Sequence, residues 1–327
     1  MRLLPLRAYA RGPLLGMLLA CMLLVMALST ATPAMAASSV RVVRDMQVPT
    51  SGGAKITIDV WQVGARRRIR RAHGSHGRAR TTRGRKVALL IHGGGWHSGD
   101  KRQWEQSRWA QRLVSNGWLV VNANYRLACP ASRSPRALCG HAMRDSIADV
   151  KNALRFTARR ARSWGGDPNH IVLFGASAGG QLAMLAGSDP HRPRGVRAVV
   201  AIGPPANLTW VGQRPDIPLY ASAHQSIGCT LEACPAAWRA ASPISSIRKG
   251  TTPPTWIFNA KSDPITPLVP IQHYIVQLQH RHIPVQLVTP ANPAADCHGP
   301  IPCMNEAIAG PGGDMFQRAQ TWLRRYA

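Results

Sequence analysis

One pentapeptide, Gly175-Ala176-Ser177-Ala178-Gly179, has the residue types and spacing of a nucleophilic site, and it is the only Gly-x-Ser-x-Gly in the chain. It stands between an apolar run at Ile171–Phe174, typical of a strand, and an apolar run at Ala178–Ala186, typical of a helix. Where a strand turns sharply into a helix, glycines two places either side of a serine avoid steric clash and leave the hydroxyl exposed. Because the pattern alone arises readily by chance, this strand-to-helix position is what predicts Ser177 as a nucleophile.

A glycine-rich segment, His92-Gly93-Gly94-Gly95-Trp96, follows the apolar run Val87–Ile91. A serine that attacks a carbonyl creates a negatively charged tetrahedral oxygen, which fixed N–H donors must stabilise. A glycine loop at the end of a strand can direct successive backbone N–H groups at one oxygen, and Ala178, next to Ser177, offers another. A glycine triplet alone would indicate only a flexible turn, but together the two segments predict an acyl-transfer site.

The elements that must position these segments alternate between strands and helices. Val40–Val48 and Lys55–Val63 alternate apolar and polar residues around Ser51-Gly52-Gly53, which predicts an antiparallel hairpin. Further strands are predicted at Val87–Ile91, Trp118–Ala123, Ile171–Phe174, Val196–Ile202, Thr255–Asn259 and Val285–Val288, with helices at Trp104–Asn116, Asp145–Gly165, Ala178–Ala186 and Met315–Tyr326. This order predicts an α/β fold with a mostly parallel central sheet and helices on both faces.

The segments HGGGWHSGDK, VNANYRL, GGDPNHIVLFGASAGGQLA, SDPITP and the late CHG resemble those of α/β-hydrolase esterases, from about Val40 to the C-terminus. The resemblance is strongest to the carboxylesterase and feruloyl-esterase-like branch, which is related to kynurenine formamidases and hormone-sensitive-lipase-type esterases. It implies that Gly94, Gly95 and Ala178 supply the oxyanion donors. It also implies that His92, with its neighbours Gly93 and Trp96, supports this loop and does not act as a base.

The acid and base of a triad follow the serine in the chain order of this fold. Asp263 lies just after the Thr255 strand, where the resemblance places the acid that orients the histidine; the alternative is a turn-forming aspartate before a proline. His298 follows the Val285 strand, where the resemblance places the base, and its alternative is a solvated loop histidine. Three other histidines compete less well, because one lies in a helical stretch and two precede the last strand: His273, His280 and His282.

The region 204–250 is irregular and lies between two predicted strands, so it is expected to form a small cap above the serine. It contains Trp210, Tyr220 and Trp238. These aromatic residues could line an acyl or aryl pocket, or they could only pack the cap.

The first 36 residues predict a secretory signal peptide, since arginines precede the apolar run Pro13–Leu28 and cleavage is expected after Ala36. The α/β-hydrolase domain would then be 37–327, and the protein periplasmic or secreted. Leu18-Leu19-Ala20-Cys21 resembles a lipobox, which makes a lipid anchor through Cys21 the alternative.

Six of the seven cysteines follow the predicted signal and form near-neighbour pairs in sequence: Cys129 with Cys139, Cys229 with Cys234, and Cys297 with Cys303. An even number in an exported chain predicts three disulfides, and short loops cost the least entropy to close. Sequence alone permits other pairings, and reduced thiols are the alternative. No C-x2-C with a paired histidine spacing indicates zinc, so neither metal nor cofactor is expected.

The formal net charge is +27, and the insertion 65–86 concentrates it, with ten basic residues and no acid from Arg66 to Lys86. Such a run cannot bury a core, so it is expected to be solvated and flexible. It is either incidental or a tether to an anionic surface or polymer. It lacks the aromatics that single-strand binders use for stacking, so no specific nucleic-acid partner is expected. The sequence does not define an oligomeric state.

Together these features predict an exported serine hydrolase that acts on a carboxylic ester, with small acyl or aryl esters as substrates. An amidase, peptidase or N-formyl hydrolase with the same triad is one alternative. The other is a catalytically inactive protein that binds an anionic polymer.

Overall fold

The alternating apolar segments of the chain form eight strands of one sheet in the computed structural model, which describes residues 39–50, 55–64, 84–130, 138–290, 298 and 315–327. The strands are β1 (Val40–Pro49), β2 (Lys55–Val63), β3 (Arg85–Ile91), β4 (Leu119–Ala123), β5 (Gly166–Ala176), β6 (Val196–Ile202), β7 (Thr255–Phe258) and β8 (Val285–Val288). Their order in the sheet is β1-β2-β4-β3-β5-β6-β7-β8. β2 pairs antiparallel with both neighbours, and every other pair is parallel.

Helices cover both faces of this sheet. They are α1 (Trp104–Ser115), α2 (Met143–Arg160), α3 (Ala178–Gly187), α4 (Leu208–Gly212), α5 (Pro218–Ile227), α6 (Pro235–Ala241), α7 (Leu268–His280) and α8 (Met315–Leu323). The predicted α/β class, with a mostly parallel central sheet and helices on both faces, is confirmed.

The alternation of side chains along each strand divides the core into two layers. In β3, Val87, Leu89 and Ile91 face the layer that α2, α3 and α7 complete, whereas Ala88 and Leu90 face the layer of α1 and α8. Strands buried on both faces need apolar residues at every position, which is why β3 and its neighbours have continuous apolar sequences.

Two segments differ from the sequence prediction. β5 begins at Gly166, five residues before the predicted Ile171, because Gly166 pairs with Arg85 ahead of a register shift in the ladder. The region 204–250 is not irregular throughout, since it contains α4, α5, α6 and a 3-10 turn at Pro243–Ser246. Proline at the first turn of α5 and α6 explains why these short helices are hard to recognise from periodicity.

Two of the predicted local disulfides are present. Cys129 joins Cys139 and Cys229 joins Cys234, with Cα–Cα distances of 4.9 and 6.2 Å. Cys297 and Cys303 lie outside the described residues, so their pairing stays a prediction.

Residues Ser39–Ala327 form one compact unit. The predicted signal peptide, with Cys21, and residues 65–83 of the basic insertion lie outside the described residues. Within the described parts of the chain, no helix has both the length and the apolarity required to span a bilayer.

Candidate active site

Ser177 occupies the sharp turn between β5 and α3. Its backbone has φ 51° and ψ −124°, a left-handed conformation that side chains rarely adopt, and its N–H donates to the Ile202 carbonyl at 2.7 Å. A Cβ at Gly175 would overlap the Gly179 carbonyl, and a Cβ at Gly179 would overlap the carbonyl of Ile91. The two glycines are therefore required by the close approach of backbone to backbone at this turn.

The predicted serine, histidine and aspartate lie in series. Ser177 Oγ is 2.9 Å from His298 Nε2, and His298 Nδ1 is 3.0 Å from each carboxylate oxygen of Asp263. The Asp263 side chain is 1% exposed and that of His298 is 21% exposed. In this arrangement His298 is within reach of the serine proton, and a buried carboxylate holds the other side of its ring.

The turn after β7 holds Asp263 in place. Ile265 N and Thr266 N donate to Asp263 Oδ1 at 2.9 and 2.8 Å, and Thr266 Oγ1 donates to Oδ2 at 2.8 Å. The same hydroxyl lies 3.2 Å from His298 Nδ1. Sequence reasoning missed Thr266, although a threonine three residues after an aspartate is a recognisable signal for a side-chain-capped turn.

The three competing histidines lie elsewhere. His273 is exposed on α7, and His280 and His282 are exposed where the chain turns into β8. Since β8 runs parallel to β5, the latter two are at the edge of the sheet opposite Ser177.

The glycine loop after β3 has the backbone conformation that only glycine adopts easily. Gly94 and Gly95 have φ 114° and 59°, and Gly94 O accepts bonds from Ser98 N at 3.0 Å and Ser98 Oγ at 2.9 Å. In the described residues neither glycine N–H donates to a backbone carbonyl. Together with the first N–H of α3, at Ala178, these groups are available as oxyanion donors.

His92 is buried beneath this loop. It is 1% exposed, stacks on Tyr125 at 4.2 Å between ring centroids, and donates from Nδ1 to the Gly93 carbonyl at 2.8 Å. Tyr125 Oη in turn donates to the His92 carbonyl at 3.0 Å. Burial lowers the pKa of His92 to about 4, so the ring is neutral near pH 7. This environment fits support of the loop better than general-base catalysis.

A buried glutamine connects the loop, the serine helix and the cap. Gln181 on α3 accepts from Trp96 Nε1 at 3.0 Å and donates from Nε2 to the Ala241 carbonyl at 2.7 Å. Trp96 and Gln181 are both fully buried. Sequence reasoning missed Gln181, and its only signal is a polar residue within an otherwise apolar helix.

A cavity of about 350 Å³ opens above Ser177. Its walls are the glycine loop, the turn at Ser177, one face of α5, the start of α1, the turn after Asp263 and His298. The lining residues are Gly93, Gly94, Gly95, Trp96, His97, Gln103, Gln106, Ala176, Ser177, Leu219, Ser222, Ile265 and His298. The cap aromatics do not line it. Trp238 is fully buried and stacks with Tyr220, while Trp210 lies against the Arg214 guanidinium.

The described residues contain no cluster of three or more histidine, cysteine, aspartate or glutamate side chains that could hold a metal ion.

Curated relatives of this chain are esterases. Esterase LipQ of Mycobacterium tuberculosis is 29% identical over 229 residues, which cover 66% of this chain and 48% of LipQ. Esterase LipC of the same organism is 28% identical over 59% of this chain and 48% of LipC. The chain thus spans about half the length, or less, of the curated relatives it matches.

Solved esterase structures share the architecture. The native Est2 esterase of Thermogutta terrifontis superposes with a TM-score of 0.57 at 21% identity and covers 90% of this chain and 92% of its own. The carboxylesterase EstE1 from a metagenomic library gives a TM-score of 0.55 at 22% identity, covering 77% of this chain and 78% of its own. At these identities the likeness shows the α/β-hydrolase fold alone.

One family model, BD-FAE, matches residues 77–274. The match begins before β3 and ends within α7, so it includes the glycine loop, the turn at Ser177 and Asp263. It covers more than half of the sequence, and the chain belongs to the BD-FAE family.

Proposed function

We propose that this protein is an exported serine hydrolase of carboxylic esters that works through Ser177, His298 and Asp263 and a covalent acyl-enzyme. The observation that carries the proposal is the continuous hydrogen-bonded series from Ser177 Oγ to the Asp263 carboxylate. The esterase relatives and the esterase neighbours in structure support the reaction class.

Acylation begins when Ser177 Oγ attacks the ester carbonyl and its proton moves to His298 Nε2. The carbonyl oxygen becomes an oxyanion, for which the N–H groups of Gly94, Gly95 and Ala178 are the donors. Asp263 stabilises the imidazolium without taking its proton. The C–O bond to the alcohol then breaks, and the proton on Nε2 passes to the departing alkoxide.

Deacylation repeats these steps with water as the nucleophile. His298 Nε2 removes a proton from water, the hydroxide adds to the acyl carbon, and the Ser177 C–O bond breaks as the proton returns to Oγ. The products are a carboxylic acid and an alcohol, and the serine is regenerated.

The cavity supports small acyl or aryl esters as substrates. Its volume of about 350 Å³ is near the lower end of the range for small-molecule sites, and Leu219 and Ile265 provide apolar contact beside the serine. The rate for p-nitrophenyl esters is therefore expected to fall as the acyl chain lengthens beyond what this space holds.

Replacement of the nucleophile tests the proposal directly. Ser177→Ala should lower kcat for p-nitrophenyl acetate by about 10⁴-fold or more, because removal of one triad member disables the unit. It should also abolish labelling by a fluorophosphonate probe. The matched control is Ser163→Ala, an exposed serine on the 3-10 turn after α2, which should keep full activity. Hydrolysis by a folded Ser177→Ala protein would contradict the proposal.

Two finer points need separate measurements. Rates on acetate, feruloyl, anilide and N-formyl substrates would distinguish an esterase from an amidase or formamidase with the same triad. The mature exported chain should begin immediately after Ala36. A chain that begins at a lipidated Cys21 would instead show that Cys21 is the anchor.

A further inference from the structure

The two edges of the parallel sheet carry different chemistry. Ser177, the glycine loop and Asp263 all follow the C-terminal ends of strands, so the candidate active site lies at one edge. The loops that lead into β5, β6 and β7 lie at the other edge. The eleven residues of β5 span the sheet between the two edges, a distance of roughly 35 Å at 3.3 Å per residue.

Exposed cations lie near the start of each of these three strands, at the end of α2, in the 3-10 turn that follows it, beside the first residue of β6 and in the loop before β7. Three arginines precede β5, two flank the first residue of β6, and an arginine and a lysine precede β7. We define the basic edge by these residues: Arg159, Arg160, Arg162, Arg194, Arg197, Arg248 and Lys249.

Backbone contacts join the loops into one surface. Arg197 Nε donates to the Asn169 carbonyl at 2.7 Å, which connects the start of β6 to the start of β5. Arg192 Nε donates to the Thr251 carbonyl at 2.9 Å, which connects the loop before β6 to the loop before β7. Since β5, β6 and β7 are adjacent in the sheet, the three groups of cations lie side by side along this edge.

The positive charge of the basic edge is not neutralised locally. None of its seven side chains forms an ion pair with a carboxylate of the described residues. The acids near this edge already have partners: Asp167 accepts from His170 Nδ1 at 2.7 Å, and the buried Asp189 lies 2.9 Å from Lys151 Nζ. Small ions from the solvent or an external anionic partner must therefore neutralise the basic edge.

The form of the basic edge selects among anionic partners. Arginine binds carboxylate, sulfate and phosphate groups in a planar, bidentate manner, and a row of arginines fits a linear polymer with repeated anionic groups. The large exposed apolar side chains of the described residues are Val40 on the outer strand and Val269 and Val276 on α7, away from these loops. Trp164, beside Arg162, is half-buried and packs against Phe156 with 6.1 Å between ring centroids. The described part of the edge therefore presents no large exposed apolar side chain that could insert into lipid.

We propose that the basic edge binds a linear acidic polysaccharide and anchors the enzyme to it, with the active site facing away. The polymer is then a support and not the substrate, because it lies a full strand length from Ser177. The choice of an acidic envelope polysaccharide as the polymer rests on the proposed export of this protein.

Binding to polygalacturonate tests this assignment. The mature protein should migrate more slowly in affinity electrophoresis when the gel contains the polymer at low salt. The retardation should disappear as the salt concentration rises, because counterions screen the contacts. The edge variant Arg159→Gln, Arg160→Gln, Arg162→Gln should bind about tenfold more weakly and show a flatter salt dependence. The control Lys55→Gln, Arg144→Gln, Arg239→Gln removes the same charge from exposed positions outside the edge and should bind like the unmodified protein.

Each outcome decides the proposal. Equal losses in the edge and control variants would show that net charge alone drives binding and would overturn the site. Tighter binding to phosphatidylglycerol vesicles or duplex DNA than to polygalacturonate, at equal anion concentration, would overturn the polysaccharide. Both variants should hydrolyse p-nitrophenyl acetate at the rate of the unmodified protein. If the unmodified protein is itself inactive, the proposed function is wrong, and the binding measurements still decide whether the basic edge binds the polymer.

Discussion

Two side chains, Asp263 and Thr266, form and break no covalent bond but hold His298 in position. Asp263 and Thr266 both approach His298 Nδ1, and Thr266 also donates to the Asp263 carboxylate. The hydroxyl can therefore position the acid and limit rotation of the imidazole. In the proposed mechanism Thr266 is a positioning residue, whereas Ser177, His298 and Asp263 form the triad.

Removing the charge of Asp263 should slow the chemical step much more than it weakens substrate binding. Asp263→Asn keeps the shape but stabilises the wrong tautomer of His298, so kcat should fall by about 10³- to 10⁴-fold with little change in KM. Thr266→Val should lower kcat by roughly tenfold, and Thr266→Ser should restore most of it because the hydroxyl returns. The control is Asp216→Asn on the exposed cap surface. A KM effect with unchanged kcat in Asp263→Asn would contradict the assigned role.

Burial of neutral His92 should make the protein less stable in acid. The unfolded chain protonates this histidine near its ordinary pKa of 6.5, but the folded protein does so only near 4. The stability that the buried neutral ring allows is therefore fully present above about pH 6.5. As the pH falls towards 4, the free energy of unfolding decreases by about 3 kcal/mol.

Urea unfolding at pH 7.5 and 4.5 measures this loss. The decrease in unfolding free energy should be smaller in His92→Asn than in the unmodified protein, because both contain the same carboxylates and only one contains the titrating ring. An identical decrease in the two proteins would rule out His92 as the source.

At the level of helices and strands, α3 does more than carry the serine. Its Gln181 connects the Trp96 indole in the glycine loop to the Ala241 carbonyl at the end of α6. A buried amide with both partners satisfied fixes the distance between loop and cap, and with it the height of the cavity.

Breaking this connection should affect stability and activity together. Gln181→Leu leaves a buried N–H and a buried carbonyl without partners, so the free energy of unfolding should fall by about 2–4 kcal/mol. The loop donors should also lose their fixed positions, which lowers kcat/KM for p-nitrophenyl acetate. Gln111→Leu, on the exposed side of α1, should change stability by no more than about 0.5 kcal/mol. Unchanged stability in Gln181→Leu would show that the connection contributes nothing.

The strands of the sheet could be predicted because their physics is local. A continuous apolar run such as Val87–Ile91 is required wherever helices cover both faces, and the glycines at 175 and 179 are required wherever the turn is this tight. The prediction of Ser177 followed from its position between a strand and a helix, and those of Asp263 and His298 from where the resembling esterases carry their acid and base.

The remaining features depend on contacts that no local pattern encodes. Gln181 acts through a partner 60 residues away, so its role emerges only when the chain is folded. The contact of Thr266 with Asp263 is local, but its approach to His298, 32 residues away, also appears only in the folded chain. The cap was predicted as irregular because α4, α5 and α6 have only 5, 10 and 7 residues, too few for a clear helical period. Without a clear helical period, the sequence of the cap does not show which of its side chains face the cavity. Leu219 and Ser222 do so, and the aromatic residues do not.

Across the molecule, the basic edge and the candidate active site lie at opposite ends of the strands. The seven cations of the basic edge lie where β5, β6 and β7 begin, and Ser177 and Asp263 follow the ends of β5 and β7. An enzyme anchored through its basic edge would therefore keep its cavity open to solvent and to diffusing esters.

This separation predicts that the anchored protein is fully active. When it is bound to polygalacturonate beads at low salt, kcat for p-nitrophenyl acetate should equal the value in solution within about twofold, because the polymer lies roughly 35 Å from Ser177 and cannot restrict the cavity. Activity is measured in the bead suspension and again after elution with salt, with the unbound protein at each salt concentration as the control. A large rise in kcat on elution would mean that the polymer reaches the cavity, which would place the binding surface at the edge of the sheet that carries the serine.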